Sequence, residues 1–279
     1  MHIIKQVKNQ LKTAVDCALL SAVKAGCLPP IETPSYSFEA PAKRTHGDWF
    51  CNLALISGKV FQRSPAEISA VIAKHIFLKD TYFERCEAAP NGFLNFFYKP
   101  DFYAYALIAV RNEDEHYGYC DLRNNSQNIE KIFHNNFSTE FDTLSHTEKS
   151  QNPVYYVQYA YSRTCNILKN LTAGSFSFRP CSKEDLLLLT ADREMNLIRA
   201  IAYFPCNIEY AVETRNPSIL LKYLVDFSTL FHRFYNNCRI RGETIRLLYA
   251  RIELCTASQA VLRNGLALLD ISVCRNIET

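Results

Sequence analysis

Glycine is scarce in this 279-residue chain, with eight in all, and none stands in a phosphate-cradling motif, so the loops that hold phosphate in nucleotide-binding folds are missing. No apolar run reaches the 18 residues of a candidate membrane span. The eleven cysteines are scattered singly, with no CxxC pair and no Cys/His cluster at zinc-ligand spacing. That pattern argues against a disulfide framework and a metal site, and reduced thiols in the cytoplasm are the expectation. The first residues, "MHIIKQVKNQLKTAVDCALL", read as an amphipathic helix and not as a signal peptide. There is no internal repeat. No Ser/His/Asp or Cys/His arrangement is supported by order or context, so the residues suggest neither a reaction nor a cofactor.

What is present is an ordinary globular composition, 48% apolar and 21% charged. The net charge of +3 divides unevenly along the chain. Residues 1–150 carry 16 Lys+Arg against 17 Asp+Glu, and residues 151–279 carry 15 against 11. The type of base changes too, from 11 Lys and 5 Arg to 3 Lys and 12 Arg. Arginine offers a planar fork for phosphate and stacks on bases, so the second half leans toward nucleic acid.

Apolar periodicity predicts a helix over residues 3–27, stopped by "AGCLPP". "SYSFEAPAKR" alternates like a short strand, and "HGDWFCNLALISGKVF" looks like a turn leading into a helix. In "SPAEISAVIAKHI", Ser64 caps, Pro65 opens the helix and Glu67 completes a capping box. "CEAAPNGFLNFFYKP" reads as a turn at Asn91-Gly92 and a strand from Phe93 to Tyr98, followed by a helix near 101–116. The fold expected is a small α+β N-terminal domain (1–120), a polar linker (121–150) and an all-α helical bundle (151–279). In the bundle, Asn152 caps and Pro153 opens the first helix, a later helical stretch ends at Pro205, and Asn216-Pro217 marks another break. Gly265 falls in the last turn of the final helix or in its C-cap.

The stretch "NPVYYVQYAYSR" gathers four tyrosines in seven positions. Tyr155, Tyr159 and Arg163 share a face by i, i+4 spacing, and Tyr156 lies seven residues before Arg163 on a neighbouring line. Two readings stand: rings packing in the bundle core, or rings stacking on splayed bases while Gln158 and Arg163 read edges or phosphates. Arg239, Arg241, Arg246 and Arg251 form the densest basic stretch. It is either a solvated helix face paired to Glu243 and Glu253 or a set of phosphate contacts.

These residues resemble the arginyl-tRNA synthetase family. "NPVYYVQYAYSRTCNIL", "FSTLFHRFYNNCRI" and "RLLYARIELCTASQAVLRNGLALLDIS" are similar to its DALR-type anticodon-binding domain. "THGDWFCNLAL", "SPAEISAVIAKHI" and "NGFLNFF" are similar, in order, to its N-terminal domain. The resemblance covers about 35–120 and 137–275. It implies tRNA as partner, arginine tRNA foremost. The anticodon would be met by Tyr155, Tyr156, Gln158, Tyr159, Arg163, Arg239 and Arg246, and the tRNA elbow by Asn95, Phe97 and Tyr98. Phe93 and Phe96 are expected in the sheet core, and His46, Asp48 and Asn52 are implied to organise the N-terminal fold.

In that family a class I catalytic domain lies between these two parts, with a His–apolar–Gly–His ATP signature and a Lys-Met-Ser-Lys-Ser-like loop. Residues 121–150 supply neither the length nor the apolar strands of a doubly wound sheet. The expectation is a non-catalytic tRNA-binding protein, with no cofactor, no metal, no membrane and room for a catalytic or tRNA-modifying protein partner. The alternatives are the tRNA-recognition subunit of a split synthetase acting in trans, a helical protein-interaction module and a decaying remnant. Two departures stand out: Tyr161 where the family typically has His, and an ending, "ISVCRNIET", without the family's usual terminal methionine.

Overall fold

The structure, a computed structural model, describes residues 2–41, 43–119, 152–172, 179, 181–240 and 244–272. The expected linker, Arg241 and Glu243 lie outside the described residues. The chain divides into two compact units, residues 5–102 and residues 1–4 with 103–279.

The first unit is a four-stranded antiparallel sheet with helices. Its strands are β1 (Phe38–Glu39), β2 (Trp49–Cys51), β3 (Phe83–Ala88) and β4 (Leu94–Tyr98), in the order β1-β2-β4-β3. Side chains alternate across a strand, so Leu94, Phe96 and Tyr98 are buried with Trp49 and Cys51, while Asn95 and Phe97 face the other way. The helices are α1 (Ile3–Lys24), α2 (Leu53–Phe61) and α3 (Pro65–His75). Helix α1 buries Val7, Leu11, Val15 and Ala18, a seam at three- and four-residue spacing. It is tied to the sheet where Gln10 Oε1 accepts Tyr82 N at 3.0 Å. The capping box of α3 forms as expected, with Ser64 Oγ accepting Glu67 N and Glu67 accepting Ser64 N.

Two strands were not anticipated. Trp49–Cys51 was read as part of a turn, and three residues are too few to show a period. Phe83–Ala88 carries Glu84, Arg85 and Glu87 on an edge, where charge guards against strand addition. The Asn91-Gly92 turn joins β3 to β4, with Gly92 N bonding Ala89 O at 2.8 Å. Gly92 has φ +91, and a Cβ there would sit 2.4 Å from Pro65 Cβ. Both the conformation and the contact demand glycine.

The second unit is helical. After α4 (Pro100–Glu113, within this unit from Tyr103) come α5 (Pro153–Thr172), α6 (Lys183–Leu186), α7 (Asp192–Glu213), α8 (Pro217–Asn237) and α9 (Ile245–Leu268). Asn152 caps α5 through Oδ1, which accepts Val154 N at 2.9 Å. Asn216 caps α8 in the same way. The expected stop at Pro205 is corrected, because α7 runs through it. A proline lacks the N–H that would bond the carbonyl four residues back. Here that carbonyl, Ile201 O, accepts the Tyr117 hydroxyl at 2.9 Å, so the break in the ladder is filled from outside the helix. Gly265 lies in the last turn of α9, where a Cβ would meet Leu224 Cδ2 at 2.6 Å.

Candidate nucleic-acid interface

Helix α5 buries Val154, Val157, Ala160, Tyr161, Thr164 and Ile167. That spacing leaves Tyr155, Tyr156, Gln158, Tyr159 and Arg163 partly exposed. The tyrosine cluster therefore divides: Tyr161, at the position where the family has His, is core, and the other three line the outer flank.

A single face of α8 supports this flank. Thr229, His232 and Asn236 follow at three- and four-residue spacing. The Tyr156 hydroxyl lies 3.3 Å from Thr229 Oγ1, and because Thr229 donates to Val225 O, the tyrosine is the donor. The Tyr156 and Tyr159 rings sit 5.4 and 5.6 Å from the His232 ring. Burial, reinforced by the Arg163 charge, pushes the His232 pKa down to about 4, so it is neutral near pH 7. Its Nδ1 then accepts Arg163 Nη1–H at 3.4 Å. Arg163 Nη2 donates to Asn236 Oδ1 at 3.2 Å, and the guanidinium lies 4.4 Å from the Tyr235 ring centroid. Arg163 is thus aimed by two acceptors and an aromatic face.

Beside it opens a groove of about 860 Å³ lined by Arg163, Asn166, Asn170, Tyr235, Asn236 and Arg239. Two guanidinium groups, three carboxamides and a tyrosine supply the donors, acceptors and π-face that single-stranded bases and phosphates require. Sequence spacing alone does not single out Asn166, Asn170, His232, Tyr235 and Asn236, whose places at this face follow from the packing of α5 on α8. The three-residue step between His232 and Tyr235 in "FHRFYNN" was the available signal.

The other residues fall elsewhere. Gln158 Nε2 donates to Ser272 O at 2.8 Å. Arg246 lies away from the groove, half exposed, with its Nε donating at 2.6 Å to Asp185, a carboxylate 1% exposed that also accepts Arg179 at 2.7 Å. Burial alone would raise the Asp185 pKa. The bonds from Arg246, the Ser182 backbone and Arg179 outweigh it and hold the carboxyl well below its usual range. Arg251 is neither solvated nor available to phosphate. It pairs at 2.7 Å with Glu194, which is 1% exposed, and donates to Arg239 O at 2.5 Å. Glu253 pairs with Arg111 at 3.7 Å instead of with a neighbour on its own helix.

In the first unit, Asn95 and Phe97 lie on the sheet face turned away from the core, where Phe50 and Phe93 pair at 4.8 Å. The expected burial of Phe93 is thereby corrected: it has the parity of Asn95, and only Phe96 is core. The Arg85 guanidinium covers the Phe97 ring at 3.7 Å. Tyr98 is also corrected, because period-two alternation turns it inward. There it stacks on Phe102 at 3.7 Å and accepts Trp49 Nε1–H at 2.5 Å. Asp48 accepts Tyr98 N at 2.7 Å and Asn52 accepts Ser37 N at 2.8 Å, both structural roles.

The chain is thus a sheet-and-helix unit followed by a helical unit bearing an aromatic and arginine face. Residues 2–98 match the family described as arginyl tRNA synthetase N terminal domain, and residues 157–277 match the DALR anticodon binding domain. Through both, the chain belongs to the arginyl-tRNA synthetase family. It is 38% identical over 134 residues to the arginine–tRNA ligase of Acetivibrio thermocellus, covering 48% of this chain and 24% of that protein. Against the Salinibacter ruber arginine–tRNA ligase it is 40% identical over 144 residues, covering 52% and 25%. The chain spans about a quarter of the length of these relatives. The crystal structure of Plasmodium falciparum arginyl-tRNA synthetase is similar in fold, with a TM-score of 0.64 at 13% identity, covering 99% of this chain and 100% of that one. Among the described residues, no helix is long and apolar enough to cross a membrane.

Proposed function

We propose that this chain binds tRNA, arginine tRNA foremost, and does so without charging it. The observation that carries the proposal is the joint face of α5 and α8. There Arg163, Tyr235 and Arg239 line one groove, and Tyr156 and Tyr159 pack on His232 of the same α8, on a domain of the anticodon-binding family. Unstacked bases would lie on the tyrosines, Asn166, Asn170 and Asn236 would meet base edges, and Arg163 and Arg239 would meet phosphates. Asn95 and Phe97 are the contacts proposed for the tRNA elbow.

The absence of charging is inferred from the interval between the matched segments. Residues 99–156 alone separate them, too few for a doubly wound nucleotide-binding sheet. The relatives are ligases of which the aligned 134 and 144 residues make up about a quarter, which also favours a second reading: a recognition subunit serving a catalytic chain in trans.

The test is binding of the purified protein to arginine tRNA, other tRNAs and a plain hairpin across a salt series. Preference for arginine tRNA that survives moderate salt is expected. Equal binding to every RNA, lost by moderate salt, would reduce the interaction to charge attraction. Adding a catalytic partner and measuring the charging rate separates the second reading from the first.

A further inference from the structure

The first unit holds another polar groove, of about 510 Å³, between the first half of α1 and residues 33–38. Lys8, Asn9, Lys12, Thr33, Ser35 and Tyr36 line it. Lys8 and Lys12 are four residues apart, so their side chains rise from one helix face a turn apart. Lys12 Nζ lies 5.1 Å from the Tyr36 ring centroid, and Lys8 Nζ lies 5.9 Å from that of Trp49. Asp16 is the one acid on the wall. It pairs with Lys12 at 3.1 Å and accepts the Tyr36 hydroxyl, so the groove sets two lysines against one carboxylate, with an amide, hydroxyls and aromatic rings beside them.

That donor set suits phosphate oxygens, with Tyr36 alongside as an aromatic surface. Lys8, Asn9 and Lys12 are all exposed, so the groove is open along its helix wall, as a passing strand needs. It is also separate from Asn95 and Phe97: Trp49 points to the buried side of the sheet, and Phe50 and Asn95 point to the opposite side. Resting on the RNA-binding reading above, we propose that the Lys8–Lys12–Tyr36 groove binds the phosphodiester backbone of RNA, a contact additional to those of α5 and α8.

The chain carries its own probe, because Trp49 is the single tryptophan and Lys8 lies against its ring. Trp49 emission of the full chain is followed while adding a short single-stranded oligoribonucleotide, tRNA, a mononucleotide or inorganic phosphate. A saturable change with the two RNAs is expected, lost in Lys12→Ala, restored in Lys12→Arg and retained in Arg163→Ala. In Lys12→Ala the slope of log affinity against log salt should fall by about one. Circular dichroism checks that each variant is folded.

An equal response to inorganic phosphate or mononucleotide would overturn the RNA assignment in favour of a small phosphorylated ligand. A silent Trp49 alongside tRNA binding detected by anisotropy would overturn the groove and leave the α5–α8 reading intact. A Trp49 response with affinity unmoved by Arg163→Ala would do the reverse.

Discussion

The two units handle positive charge in different ways. In the first, Lys8 and Lys12 stand exposed on α1, resting their ammonium groups near aromatic rings. In the second, several arginines pair with carboxylates, from the buried Arg251 to the half-exposed Arg246 and Arg179. Arg246 and Arg179 hold Asp185, Arg251 holds Glu194, Arg111 meets Glu253 and Arg263 meets Asp114. Both units pair cations with carboxylates, Lys12 with Asp16 and Arg85 with Glu87 in the first, and the second adds a buried pair in Arg251 and Glu194. Lysine keeps its head in water while arginine's fork satisfies several acceptors at once. Net charge therefore says little about where an RNA would touch.

The sharpest way to break this comparison is to remove the buried arginine. Arg251→Ala leaves Glu194 buried without its partner, which should destabilise the helical unit by about 3–5 kcal/mol, read as a lower denaturation midpoint. Removing the aimed arginine should do something different. Arg163→Ala should weaken tRNA binding by roughly 1–3 kcal/mol, about 5- to 150-fold, with a small change in melting, measured by anisotropy and calorimetry.

A third test uses pH. His232 has a folded pKa of about 4 against an ordinary 6.5. Its contribution is complete above 6.5 and is lost as pH falls from there toward 4, because the unfolded chain binds the proton first. The ring is only partly buried, so solvent screening trims the loss to less than about 1 kcal/mol between pH 6.5 and about 5.5, and the slope should vanish in His232→Phe. The smallest effect is expected for Arg246→Ala. Its side chain is 51% exposed and Arg179 still faces Asp185, so at most about 1 kcal/mol is at stake. Its tRNA affinity should match the parent's, and a loss there comparable to that of Arg163→Ala would return Arg246 to the interface.

Much of this was legible where one local rule acts alone. The Ser64 capping box, the Asn152 and Asn216 caps and the Asn91-Gly92 turn are each decided by a few adjacent side chains, and each formed as read. Pro205 shows where local rules stop: its proline signal is genuine, but a hydroxyl more than eighty residues away repairs the helix. Tyr98 failed through strand parity, since a register error of one residue exchanges the two faces. The burial of Arg251 and the ion pair of Arg246 could not be read, because the bonds to Glu194 and Asp185 form between helices, at sequence distances no spacing rule covers.

The sequence by itself determined the class of each half, the order of the two domains, most helix starts and the tyrosine-rich helix as the place to look. Those follow from periodicity and capping, which act within a few residues. Only the tertiary structure decided that Tyr161 and Tyr98 are core, that Arg163 is aimed by His232 and Asn236, and that Arg246 and Arg251 pair with carboxylates. It also decided that α1 raises Lys12 beside Tyr36 and Lys8 near Trp49. Burial and charge pairing depend on which surfaces meet, and that is settled when the elements pack.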